Sequence, residues 1–286
     1  MSRAGACVLG AAFTLGTREL VRALSRADEP RLTRTNFRGR RVNLAGGLGT
    51  AAGAVAAAAG VGGHEGAAAA FVTASAGALG AIDDQNTRAA DKGLRGHLRA
   101  LTEGRLTTGA AKLLGISGAA IVGAALATRA RPTGPAPGSL ARMAGRGTIA
   151  RVADVLSSAA LIAGSANLLN LFDLRPGRAL KAGAVLSVPA VLSRGAGGHL
   201  ATGALAVIAA SWPTDLAEET MLGDAGANAL GALVGTALTL HPDRRLRGAV
   251  LTAVVTLTVL SEKVSFSQVI ERTPPLRALD AWGRSG

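Results

Sequence analysis

The feature that most constrains this chain is the alternation of apolar runs with charged loops. Nine runs built mostly from Ala, Gly, Leu and Val lie at about 4–21, 46–61, 67–82, 109–128, 152–172, 179–192, 199–212, 225–240 and 246–260. They approach or reach the roughly 17 to 25 residues that a helix needs to cross a bilayer. The helices of a soluble bundle would carry a charged face inside each run, and these runs carry almost none. The pattern predicts an all-α, polytopic integral membrane bundle of about nine to ten transmembrane helices, forming a single membrane domain over 1–286.

Small residues and few aromatics (2 %, with no Tyr) make each hydropathy signal weak. They also let helices approach closely in lipid, where packing drives association. The formal net charge of +13 would suggest nucleic-acid binding on a soluble protein. Here no aromatic platform, RRM-like pattern or zinc-finger spacing accompanies it. The charge is therefore expected to serve the lipid bilayer, through basic cytoplasmic loops and anionic headgroups, with no nucleic-acid partner. Cys7 is the single cysteine, so no intrachain disulfide can form.

Ala4 to Leu15 is preceded by Arg3 but has no small-residue cleavage site before a polar start, so it reads as a first helix and not as a signal peptide. Nine spans place the termini on opposite sides. With the N-terminus outside, the cytoplasmic loops are about 22–45, 83–108, 173–181, 213–224 and 261–286, and they hold most of the Lys and Arg. The outside turns at 62–66 and 193–198 are nearly free of them. Two basic stretches, 129–151 and 241–245, fall outside and break the rule. The first contains Arg131-Pro132-Thr133-Gly134-Pro135-Ala136-Pro137-Gly138, incompatible with helix, and joins two membrane halves.

The adjacent acids Asp83 and Asp84 end the third run, and Asp173 and Asp224 lie at inner-face ends of two others. A single acid at a helix end commonly marks only the membrane boundary. Four on one face, beside Lys and Arg, suit a hard cation such as Mg²⁺ and a diphosphate, because carboxylate oxygens hold the ion while the cations take the phosphate charge.

The order Asn43-Leu44-Ala45-Gly46-Gly47, then Ile82-Asp83-Asp84 with Lys92-Gly93-Leu94 and Lys112, then Asn167-Leu168-Leu169-Asn170-Leu171-Phe172-Asp173, then Leu222-Gly223-Asp224-Ala225-Gly226 resembles the polyprenyl-phosphate N-acetylhexosamine-1-phosphate transferases. That family includes the phospho-MurNAc-pentapeptide translocase and the undecaprenyl-phosphate GlcNAc-1-phosphate transferases. The resemblance covers roughly residues 20 to 270. It implies an enzyme of the bacterial plasma membrane that moves a sugar-1-phosphate from a UDP-sugar to a polyprenyl phosphate at the cytoplasmic face, with Mg²⁺ and release of UMP, in cell-envelope glycan synthesis. By the same resemblance Asp83, Asp84, Asp173 and Asp224 are the catalytic acids, with Asp84 and Asp173 on the metal. Lys92 and Lys112 would neutralise the diphosphate, and Asn167 and Asn170 would shape the substrate pocket. A homodimer is the assembly considered.

The chain also departs from that pattern. Family members continue the third motif as Asp-Gly-x-Asp-Gly, whereas this chain reads Asp173-Leu174-Arg175-Pro176-Gly177-Arg178. The His-rich loop near the C-terminus is absent, and no tenth span replaces it. Arg175, Arg178 and Lys181 could bind a phosphate or carboxylate, or could only be positive-inside residues. These departures leave a second expectation, a non-catalytic homologue that binds a lipid-linked or nucleotide ligand. His64, His199 and His241 are expected in surface or capping roles, while His97, in the basic inner loop, could touch phosphate but is not selected. Gly195-Ala196-Gly197-Gly198 lacks the Lys-Ser/Thr of a phosphate-binding loop.

Overall fold

The computed structural model describes residues 2–25, 29, 31–85, 108–129, 131 and 146–284. Each of the nine apolar runs is a helix: α1 (Arg3–Leu24), α2 (Ala45–Val61), α3 (Gly63–Gln85), α4 (Thr108–Ala127), α5 (Arg146–Phe172), α6 (Arg178–Val191), α7 (Ala196–Leu216), α8 (Gly223–Thr239) and α9 (Arg244–Ser261). Two short helices follow, α10 (Phe266–Arg272) and α11 (Pro274–Ala281). Among the described residues the only sheet is a hairpin of β1 (Thr33–Thr35) and β2 (Arg41–Asn43), antiparallel with Arg34 opposite Val42.

Four helices, α1, α3, α4 and α5, are long and apolar enough to cross a membrane, and α9 with α10 would make a fifth as a pair bent by 97°. This is the construction of a helical membrane-embedded protein. Many large apolar side chains face outward, among them Phe13, Leu114, Ile121, Leu156, Val185 and Val255. An exposed apolar surface of this extent marks contact with a partner or with lipid.

The element ends differ from the sequence expectation for local reasons. The turn expected over 62–66 is confined to Gly62 and Gly63, which take φ of 72° and 64°. The helix resumes at Gly63, which places Asp83 and Asp84 in the last turn of α3. The expected 22–45 loop holds the hairpin, and Asn43 forms an isolated parallel bridge with Thr220. Helix α7 runs through Pro213 to Leu216, so the loop expected from 213 is shorter. The tail expected after 261 is mostly helical.

Helix α8 is the axis of the bundle. Every residue from Ala225 to Thr239 is buried, with α2, α3, α5, α6 and α7 packed around it. Such an enclosure requires small residues at the crossings. A Cβ on Gly231 would lie 2.5 Å from Ala166 Cα and from the Ser165 carbonyl oxygen on α5. The same reasoning applies at Gly47 on α2, where a Cβ would collide with the Leu222 carbonyl that leads into α8. The larger core side chains, including Leu168, Leu169, Leu180, Leu230 and Leu233, fill the layer between these contacts.

Gly231→Leu is expected to lower stability by about 3 kcal/mol through overpacking. Gly118→Leu, where a Cβ meets nothing within 4 Å, should shift it by no more than about 0.5 kcal/mol. Thermal melting of both variants in detergent checks the contrast.

Candidate functional site

The first N–H groups of a helix have no partner within it. At the start of α8 they are buried, and Leu222, which precedes the helix, supplies no side-chain cap. Carboxylates from elsewhere in the chain meet them. Asp84 on α3 accepts from the Asp224 N–H through one oxygen and from the Ala225 N–H through the other, both at 3.0 Å. Asp173, one residue beyond α5, accepts from the Gly223 N–H. Gly223 itself has φ 57°, and a Cβ there would stand 3.0 Å from an Asp84 carboxylate oxygen. The left-handed backbone and the crowding both call for glycine.

The other two acids converge on the same place. Lys112 on α4 bridges Asp83 at 2.7 Å and Asp224, so one ammonium joins α3, α4 and α8. The Asp83 and Asp224 carboxyls are also in hydrogen-bond contact with each other. Arg34 of β1 donates to the Asp84 carbonyl oxygen, and Asn228 donates to that of Asp224 at 2.7 Å. Segments 140 residues apart thus assemble one acidic cluster around the positive end of the central helix dipole.

Two acids that the sequence reading did not select complete the neighbourhood. Asp215 is buried near the end of α7 and accepts from the Gly177 N–H at 2.6 Å. Glu218, also buried, takes φ 57° and is held by Arg38 at 2.9 Å and by the Asn36 amide at 2.5 Å. The only signal for them is the interval Pro213-Thr214-Asp215-Leu216-Ala217-Glu218, which reads as an ordinary acidic loop. Together with Phe37, Asp173, Arg175 and Met221 they line a cavity of about 280 Å³. Burial pushes the Asp173 carboxyl well above the usual carboxylate range, and the negative charges of Asp215, Asp224 and Asp84 add to it.

The remaining selected residues divide. Asn167 and Asn170 are half-buried on α5, in register with Asp173 at intervals of three residues. Arg175 lies over the Phe37 ring at 3.8 Å and pairs with Glu271 at 3.1 Å, so it stays beside the cavity. Arg178 turns to the C-terminal helices. It forks onto Asp280 at 2.8 and 3.0 Å and donates to Ser267 at 2.9 Å. Lys181 donates to the Asp280 carbonyl oxygen at 2.7 Å. Burial opposes ionisation of Asp280, but Arg178 and Arg284 outweigh it and hold that carboxyl below its ordinary range. The anion bound by Arg178 is therefore a carboxylate of its own chain. Lys92 lies outside the described residues, as does His97.

The chemistry of the acid set suits a hard cation, but its arrangement does not fit one. Both Asp84 oxygens serve backbone amides, while Asp83 and Asp224 are engaged by Lys112. Among the described residues, no three His, Cys, Asp or Glu side chains share a point from which they could hold a metal ion. Compared with known proteins, the chain matches no family model, no curated protein and no solved structure.

Asp84→Ala strands two buried N–H groups and should cost about 3 kcal/mol, whereas Asp84→Asn retains an acceptor and should cost about 1 kcal/mol; denaturation in detergent ranks the two. For Asp173 the sign is that of a carboxyl whose folded pKa is raised. The folded state binds more protons than the unfolded one, so stability falls as pH rises from about 4 through the raised pKa. Asp173→Asn should remove that part of the slope in a melting series across pH, while its amide oxygen still accepts from Gly223.

Proposed function

We propose that this protein is a phosphoglycosyl transferase of the bacterial plasma membrane, moving a sugar-1-phosphate from a UDP-sugar to a polyprenyl phosphate at the cytoplasmic face. The bundle would cross the membrane about nine times. The observation that carries the reading is the meeting of Asp83, Asp84, Asp173, Asp224 and Lys112, drawn from three motifs and α4, at one end of the central helix beside a cavity. Phosphoryl transfer depends mostly on positioning and on charge stabilisation. Lys112 offers an ammonium to a diphosphate, at the cost of loosening Asp83 or Asp224. The N-terminus of α8 adds the positive end of its dipole. Asp173, crowded by like charges, gains most when a cation or a proton arrives.

Mg²⁺ belongs to this reading through the resemblance, with Asp84 and Asp173 as its ligands. Because the side chains are not arranged for it, no step is assigned to the ion. A second reading is favoured by the same contacts. Each of the four acids already has a partner within the chain, which is what a non-catalytic homologue binding a lipid-linked or nucleotide ligand would show.

Incubating the purified protein with Mg²⁺, undecaprenyl phosphate and a panel of UDP-sugars separates the readings. The transferase releases UMP with at least one donor, and Asp84→Asn and Asp173→Asn each abolish the release. Nucleotide or lipid binding without UMP from any donor supports the second reading.

A further inference from the structure

Near their starts, α5 and α9 line a groove of about 420 Å³. The 1.5 Å rise per residue puts Asp154, in this groove, about 28 Å along the helix direction from Asp173. That distance is close to the roughly 30 Å of a bilayer's hydrocarbon core. The groove thus opens at the membrane face opposite the acid cluster. Ala150, Ala153, Leu161 and Leu251 give it apolar walls, and Arg244 and Arg247 stand in its lining. A Cβ built on Gly248, also in the lining, meets nothing within 4 Å, so the space beside α9 is open.

The charge at this end is unbalanced. Asp154 is shared between Arg131 at 3.1 Å and Arg247 at 3.3 Å, and both guanidiniums also donate to the Thr239 carbonyl oxygen that closes α8. One carboxylate between two guanidiniums leaves a positive charge over. Among the described residues, Arg129, Arg151 and Arg245 carry further positive charge at this end, while Asp243, the N-cap of α9, removes one. An apolar groove at membrane depth with a cationic rim is complementary to an acyl chain that carries an anionic headgroup.

We propose that this groove binds an anionic phospholipid, with its phosphate beside Arg244 and Arg247 and one acyl chain along Ala150, Ala153 and Leu251. The site explains why the stretches 129–151 and 241–245 are basic on the face where charge bias leaves other turns nearly free of Lys and Arg. It rests on membrane embedding and not on phosphoryl transfer.

The test is native mass spectrometry of the full-length protein with phosphatidylglycerol and phosphatidylcholine of identical acyl chains. The wild type should retain phosphatidylglycerol at least about five-fold better, and Arg244→Gln should reduce that retention about five-fold. Gly248→Leu, which fills the groove, should abolish the preference at an unchanged melting temperature. If it does not fold, Arg244→Gln decides alone. Equal retention of the two lipids, or an undiminished preference in a folded variant, overturns the proposal. Competition by free glycerol phosphate as strong as by the lipid also overturns it, since the site would then be one for a soluble phosphate. Because UMP release is not measured, failure here leaves the transferase reading untouched.

Discussion

The structure depends on satisfying a helix start in the middle of a bundle. Helix α8 is enclosed by its neighbours, and Leu222 before it supplies no side-chain cap to its first N–H groups. A buried donor left unpaired costs about as much as a mutation that noticeably destabilises a domain. Carboxylates brought by α3 and by the end of α5 remove that cost. Their negative charge is in turn steadied by Lys112, by Arg34 and by the helix dipole. The acidic cluster is therefore structural: its carboxylates serve the start of α8.

Charge is disposed differently at the two ends of α5. At the end of Asp173, burial and the like charges of Asp215, Asp224 and Asp84 push a carboxyl toward protonation. At the end of Asp154, arginines outnumber acids and hold α5, α8 and α9 together through shared oxygens. Between them the chain presents Ala, Gly, Leu and Val, closely packed inside and apolar outside. The C-terminal helices close the acidic side through a third arrangement, in which Asp280 gathers Arg178 and Arg284, and Trp282 meets Trp212 edge-on at 5.7 Å.

Helix positions were legible because apolar runs between charged loops translate directly into membrane-compatible helices. The convergence of Asp83, Asp84, Asp173 and Asp224 was legible only as a shared end of several helices, since the capping of α8 is a tertiary fact. Lys112 was visible as a cation that the resemblance sets against the diphosphate, but not as the bridge between two acids. The hairpin escaped notice because three-residue strands in an Arg-rich stretch carry no periodicity. Asp215 and Glu218 escaped because α7 continues through Pro213, which sequence reasoning treats as a stop. Arg178 was read as a ligand for a phosphate or a carboxylate, or as a positive-inside residue, and nothing in the sequence signals that Asp280, 102 residues later, supplies that carboxylate.

The central claim is that the cluster at the start of α8 handles phosphate and is not only a cap. Lys112 separates the two roles, because the amide of Lys112→Gln can still donate to Asp83 and Asp224 while offering no charge to a diphosphate. UMP release by this variant, measured beside its melting temperature, tests the claim most directly. The expected result is a folded protein whose UMP release falls by about a hundred-fold or more. A folded variant that releases UMP at the wild-type rate would contradict it.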